Sequence, residues 1–286
     1  MQEKSGIISY LRANLHMVAL VISAIYAAKM GFELFGHYNF SGAIPVDKDG
    51  FQLGRDFAAF WLAAKALHAG QVAVLYSDVH FQHMLLEYFP HSNDLSWAYP
   101  PSYLPLLYPL GFFGYVEGFL FYSAVFAAMF VFILKKGGVN LTGLGLAILS
   151  TPFLICLFFG QNGILFTAII FAIFCWRDNK ILCATLCGFL ALTKPQIGFL
   201  LPLYFIAKKD WKMLLFATVA TFFYFSVTAA LFGIKLWKLY FFHAVPEYFD
   251  KMLGGGFSIP SFYSALKYSV GDDLIFYALF AALAIF

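Results

Sequence analysis

Hydrophobic residues run in long, nearly unbroken stretches along this chain, and polar residues gather in a few intervals between them. A membrane-crossing helix needs about 20 apolar residues, with a range of about 17–25. The first such stretch runs from about His16 to Phe35, behind Lys4 and Arg12. Those cations place the N-terminus in the cytoplasm. No small-residue cleavage site follows the run, so it reads as a retained signal anchor. Next comes the longest polar interval, residues 36–99, which is then an extracytoplasmic loop.

After Tyr99-Pro100-Pro101 the chain turns apolar again. Cationic clusters punctuate it at Lys135-Lys136, Arg177/Lys180 and Lys208-Lys209/Lys212. With all three on the cytoplasmic side, 141–176 and 181–207 become hairpins. Their outer turns fall near Gly160-Gln161-Asn162 and Thr193-Lys194-Pro195. The halves of the second hairpin are short for full spans. Segment 102–134 then supplies an odd number of crossings, although its length, Pro109, Gly111 and Gly114 would permit two. A further helix is predicted over about 213–232. It leads to a second outer loop at 233–258, containing Lys235, Lys238, His243, Glu247 and Asp250 and closed by Gly254-Gly255-Gly256. The final run, Leu274 to Phe286, reads as a helix cut short in a chain that continues past Phe286. No internal repeat is visible.

Composition agrees with this pattern. Of 286 residues, 62% are apolar and 12% charged, against about 25% charged in soluble domains. With 37 Phe and so few charges, a water-facing surface could not be covered. Soluble, disordered, collagenous, coiled-coil and nucleic-acid-binding classes are excluded together. The fold class is an all-α polytopic membrane protein, with residues 1–286 as one transmembrane domain. The net charge of +3 is too small to indicate an anionic partner. Cys156, Cys175, Cys183 and Cys187 lie inside apolar runs and read as small helix fillers, neither disulfides nor metal ligands.

Charge is scarce, so its concentration matters. The loop 36–99 holds six of the fifteen acidic residues and five of the seven histidines. Within it, residues 57–69 form a short helix with Phe57, Phe60, Trp61, Ala64 and His68 on one face, suited to lying in the membrane interface. Asp56 stands at the N-cap position, where a carboxylate accepts free helix N–H groups; its other reading is a catalytic acid or base. A second short helix is predicted over 79–88. His80 and His83 share a face there, but no third ligand stands at a fixed spacing, so a metal site is not inferred. Lys29 and Glu33 are spaced to pair along the first helix. Lys194 is a lone ammonium in an apolar stretch, either functional or snorkelling to the interface. Tyr and Trp at the predicted membrane edges read as interfacial anchors.

The run Gly54-Arg55-Asp56-Phe57, then Phe60-Trp61, Ala63-Ala64, Leu67, Gly70 and Leu75-Tyr76, resembles the first loop of family 87 glycosyltransferases in the GT-C superfamily. Tyr99-Pro100-Pro101, Gly160-Gln161-Asn162 and Lys194-Pro195 follow in matching order, and the resemblance covers about residues 50–260. It implies a GT-C helix bundle with interfacial helices in the first outer loop. The implied activity is inverting transfer of a hexose such as mannose from a polyprenyl-phosphate donor to an extracytoplasmic lipid or glycan acceptor, at a bacterial plasma membrane. Asp56 corresponds to the general base, and no cofactor or metal is implied. Lys194 and Arg55 are candidates for the donor phosphate. Gln161, Asn162, Tyr99 and His243 are candidates for sugar or acceptor. Two other readings stay open: a transporter or flippase of lipid-linked sugars, and a catalytically inactive relative.

Overall fold

The computed structural model describes residues 14–92 and 95–253; Lys4, Arg12, Gly254-Gly255-Gly256 and the run from Leu274 lie outside them. Three described helices are long and apolar enough to cross a membrane: α1 (Leu15–Gly36), α4 (Tyr115–Lys136) and α10 (Trp211–Phe232). A bent pair, α5 (Leu141–Ile148) and α6 (Thr151–Phe159), meets at 51° and would make a fourth span. Ser150 and Pro152 produce the bend. The Ser150 hydroxyl accepts from Phe153 N–H as an N-cap, and proline belongs in a first helical turn. Along α1, Lys29 and Glu33 form the i,i+4 pair, at 3.8 Å.

Both hairpins appear with their turns where the polar residues stand. In the first, α6 is followed by the turn at 160–162 and then α7 (Gly163–Cys175). In the second, α8 (Lys180–Thr193) breaks at Lys194, turns through Pro195–Gly198 and continues as α9 (Leu200–Ala207). Pro195 causes the break, because its ring disfavours helical geometry at the residue before it, and Lys194 is extended at φ −140° and ψ 70°. Segment 102–134 contributes one long helix, α4. Its proline-rich first part, 101–112, folds into short helical turns instead of a span.

α8 packs along α10 by means of small residues. A Cβ on Gly188 would come within 2.8 Å of the backbone at Ala220 and Thr221. Cys183, Ala184 and Cys187 are buried on the same helix. Close backbone approach of this kind is how helices associate where lipid removes any hydrophobic drive between them. All four cysteines are free, and the thiol of the buried Cys183 donates to Ile173 O on α7 at 3.7 Å.

Loop 36–92 is more structured than its polarity suggests. It starts with a two-stranded ribbon, β1 (Tyr38–Asn39) against β2 (Val46–Asp47), with Tyr38 opposite Asp47. It continues into α2 (Phe57–His68) and α3 (Asp78–Tyr88). The aromatic stripe of α2 does not face lipid. Nine of its twelve residues are buried, the alanine side as well as the aromatic side. A helix apolar all round is a core helix, and Ala58, Ala59, Ala63 and Ala64 are small enough to let protein close over that second side. Polar tips then tie α2 to the 108–113 turn. Trp61 Nε1 donates to Phe113 O (3.1 Å), Lys65 Nζ donates to Gly111 O (2.9 Å), and a His68 ring nitrogen bonds Tyr108 O (2.8 Å). Trp61, Trp97 and Trp237 are likewise buried core residues and not interfacial anchors.

Phe57 is fully buried, with its ring 5.3–5.6 Å from those of Tyr115, Phe119 and Tyr122 on α4. Phe57→Ala leaves a cavity where loop meets bundle. It should lower unfolding stability by about 3–5 kcal/mol in detergent, read as a fall in the thermal midpoint; an unchanged midpoint would show that the loop is not anchored there.

Candidate active site

Asp56 precedes α2 but does not cap it. Its side chain makes no cap hydrogen bond, and its backbone is already helical at φ −73° and ψ −24°. Its carboxylate points across to the 160–162 turn, where Gln161 Nε2 donates to Asp56 Oδ2 at 2.6 Å. The backbones meet as well, Asp56 N–H donating to Phe159 O at 3.0 Å. Tyr115 secures the turn before it, its hydroxyl donating to Leu53 O (2.7 Å) and Gly54 O (3.1 Å).

Gly160 makes this approach possible. It ends α6 in the left-handed conformation, φ +65°, which L-residues with a Cβ adopt at a cost of about 1–2 kcal/mol. A Cβ there would lie 2.4 Å from that of Phe57. The neighbouring Asn162 is buried. Its Nδ2 donates to the Tyr103 hydroxyl (3.3 Å), and its Oδ1 accepts from Lys194 Nζ (3.2 Å). Three segments distant in sequence are thus joined side chain to side chain: Asp56 to Gln161, and Asn162 to Lys194.

These groups border one cavity of about 460 Å³, with Ser96, Tyr99 and Tyr248 also on its wall. Ligand pockets are typically about 300–1,000 Å³, and this cavity falls in that range. Lys194 is the cation of this wall. Burial lowers its pKa below the ordinary lysine value of 10.5, and its ammonium rests 4.8 Å from the centre of the Phe166 ring. Tyr99 and Tyr248 carry pKa values raised by burial, so both hydroxyls remain protonated donors.

Two of the candidate residues stand elsewhere. Arg55 turns away from the cavity and lies over the Phe51 ring, 3.8 Å from its centre. His243 is exposed, in a π-turn (Tyr240–Ala244) that follows α11 (Ile234–Leu239), and does not border the cavity. From that second loop it is Tyr248, on α12 (Val245–Leu253), that reaches the wall. Helix α12 docks on the first loop through polar contacts. Glu247 accepts from Asp78 N–H at 3.1 Å, and Lys251 pairs with Asp78 and Ser96. An aromatic beside charges in a polar, amphipathic helix was the available sign. On α3, His80 bonds the Ser77 hydroxyl at 2.8 Å, and no group of three potential metal ligands occurs among the described residues.

The helical bundle thus gathers an acid, two amides and an ammonium around one cavity beneath its long loop. The model of glycosyltransferase family 87 matches residues 97–286, two-thirds of the 286-residue chain, and the protein belongs to that family. Tyr99, Gln161, Asn162 and Lys194 fall within the matched segment, whereas Asp56 precedes it. Comparison with curated proteins and with solved structures gave no match.

Gly160→Ala should separate Gln161 from Asp56 through its overlap with Phe57. Sugar transfer should fall at least tenfold, with about 1–2 kcal/mol of stability lost from the left-handed backbone. Unchanged transfer by this variant would mean that the turn does not position the site.

Proposed function

We propose that the protein transfers a hexose, mannose being the first candidate, from a polyprenyl-phosphate donor to a lipid or glycan acceptor on the extracytoplasmic side. The observation that carries this reading is the placement of Asp56, Gln161, Asn162 and Lys194 around one cavity. An acceptor hydroxyl is a weak nucleophile until its proton leaves. Asp56 takes that proton as the hydroxyl oxygen bonds the anomeric carbon. Meanwhile the bond from that carbon to the phosphate oxygen breaks on the opposite face, inverting the configuration. General-base help of this kind contributes typically 10²–10⁴-fold.

The leaving polyprenyl phosphate gains negative charge, which a fixed cation stabilises in a water-poor site. Lys194 supplies it, steadied by the Asn162 carbonyl. Gln161 holds the Asp56 carboxylate in place and, with Asn162, Tyr99 and Tyr248, offers donors to sugar hydroxyls. No cofactor is required by this chemistry. The prenyl tail remains in the bilayer beside the bundle, and Arg55, outside the cavity, serves headgroups at the loop surface.

In proteoliposomes supplied with polyprenyl-phosphate-mannose, Asp56→Asn should cut turnover by about 10²–10⁴-fold while leaving folding intact. Retained turnover would remove Asp56 as the base. Lys194 gives a pH signature of known sign. Donor binding needs the ammonium, so affinity should fall as pH rises through its lowered pKa, below 10.5. Without donor the sign reverses: the unfolded chain holds this proton more tightly, so stability should rise with pH across the same window. Lys194→Arg should abolish the alkaline fall in affinity, because guanidinium stays charged. Persistence of that fall in the arginine variant would assign it to another group.

A further inference from the structure

At the other end of α8 from Lys194 lies a second cavity, of about 390 Å³. Fourteen residues of helix separate the two, roughly 20 Å at 1.5 Å per residue. Its rim carries Arg177, Lys180 and Lys208, brought together where the α7–α8 connection meets the end of α9. Among the described residues, none of these three cations has an ion-pair or hydrogen-bond partner. Both nearby polar caps are committed elsewhere: Asn179 accepts from Leu182 N–H and Asp210 from Met213 N–H, each holding a helix start. Asp178 also lines the rim, so the five charged groups sum to a formal +1. The floor is apolar, with the Phe174 and Tyr204 rings edge to face at 5.2 Å beside Phe205 and Met213.

A cationic rim over an apolar floor fits an amphiphile whose head is a phosphate and whose tail is hydrocarbon. We propose that this cavity is a binding site for an anionic phospholipid of the leaflet opposite the active site. The phosphate sits between Arg177, Lys180 and Lys208, and one acyl chain lies along Phe174, Tyr204 and Phe205. Basic pockets between membrane helices take phospholipid headgroups in this way, and a row of cations marks the cytoplasmic side. The site is separate from sugar transfer and does not depend on Asp56 or Lys194.

The test is native mass spectrometry of the full chain released from detergent micelles doped with phosphatidylglycerol, phosphatidylcholine or inorganic phosphate. Wild type should retain phosphatidylglycerol over phosphatidylcholine. Arg177→Gln/Lys180→Gln/Lys208→Gln should weaken that retention roughly a hundredfold, about fivefold for each cation. Lys135→Gln/Lys136→Gln, at the end of α4, should leave it unchanged. If the triple variant does not fold, Lys180→Gln alone should still show its fivefold loss. Equal retention of both lipids, or retention that survives loss of the three cations, would overturn the proposal. So would displacement of phosphatidylglycerol by inorganic phosphate, which would make this a site for soluble phosphates.

Discussion

The junction of Asp56 with the Gly160-Gln161 turn is the contact on which the rest of the site depends. Its backbone hydrogen bond to Phe159 and its carboxylate bond to Gln161 join the long loop to the end of α6 in the membrane bundle. With an ionised acceptor this bond is charge-assisted, which makes it stronger than a bond between neutral groups. The fold accommodates it by keeping a left-handed glycine, where no side chain separates the two backbones. The carboxylate is thereby withheld from capping α2 and turned toward the cavity.

The remaining parts follow from that junction. Asn162, next to Gln161, reaches the ammonium at the Pro195 break, so a proline-induced kink in one hairpin and a glycine turn in the other present their polar groups together. Tyr224 and Ser102 extend the frame. The Tyr224 hydroxyl donates to Ser102 O, and the Ser102 hydroxyl donates to Leu192 O, linking α10, the Pro100-Pro101 segment and the end of α8. Lys194 is therefore held by a braced turn. Its ammonium is directed at the Asn162 carbonyl and the Phe166 ring.

Much of this was legible in the sequence, for a physical reason. In a chain with 12% charged residues, each polar interruption of an apolar run must be a turn, a loop or a site. The turns near 160–162 and 193–195 and the helices expected at about 16–35 and 213–232 followed from that, and the same scarcity drew notice to Asp56 and Lys194. What did not follow were relations between distant segments. Asp56 and Gln161 are 105 residues apart, and no local periodicity encodes their bond. Helix α2 looked amphipathic because alanine is neutral in such a pattern, whereas its small side accepts protein as readily as its aromatic side does. His243 drew notice as the histidine of its loop, yet it is exposed in the π-turn while Tyr248 borders the cavity.

A phosphate and a sugar should together occupy the cavity between Asp56 and Lys194. An experimental structure with a non-transferable polyprenyl-phosphate-hexose bound tests it most directly. The phosphate should lie within hydrogen-bond distance of Lys194 Nζ, with the face of the anomeric carbon opposite the phosphate open toward Asp56. A phosphate bound away from Lys194, or a sugar whose anomeric carbon is screened from Asp56, would contradict it.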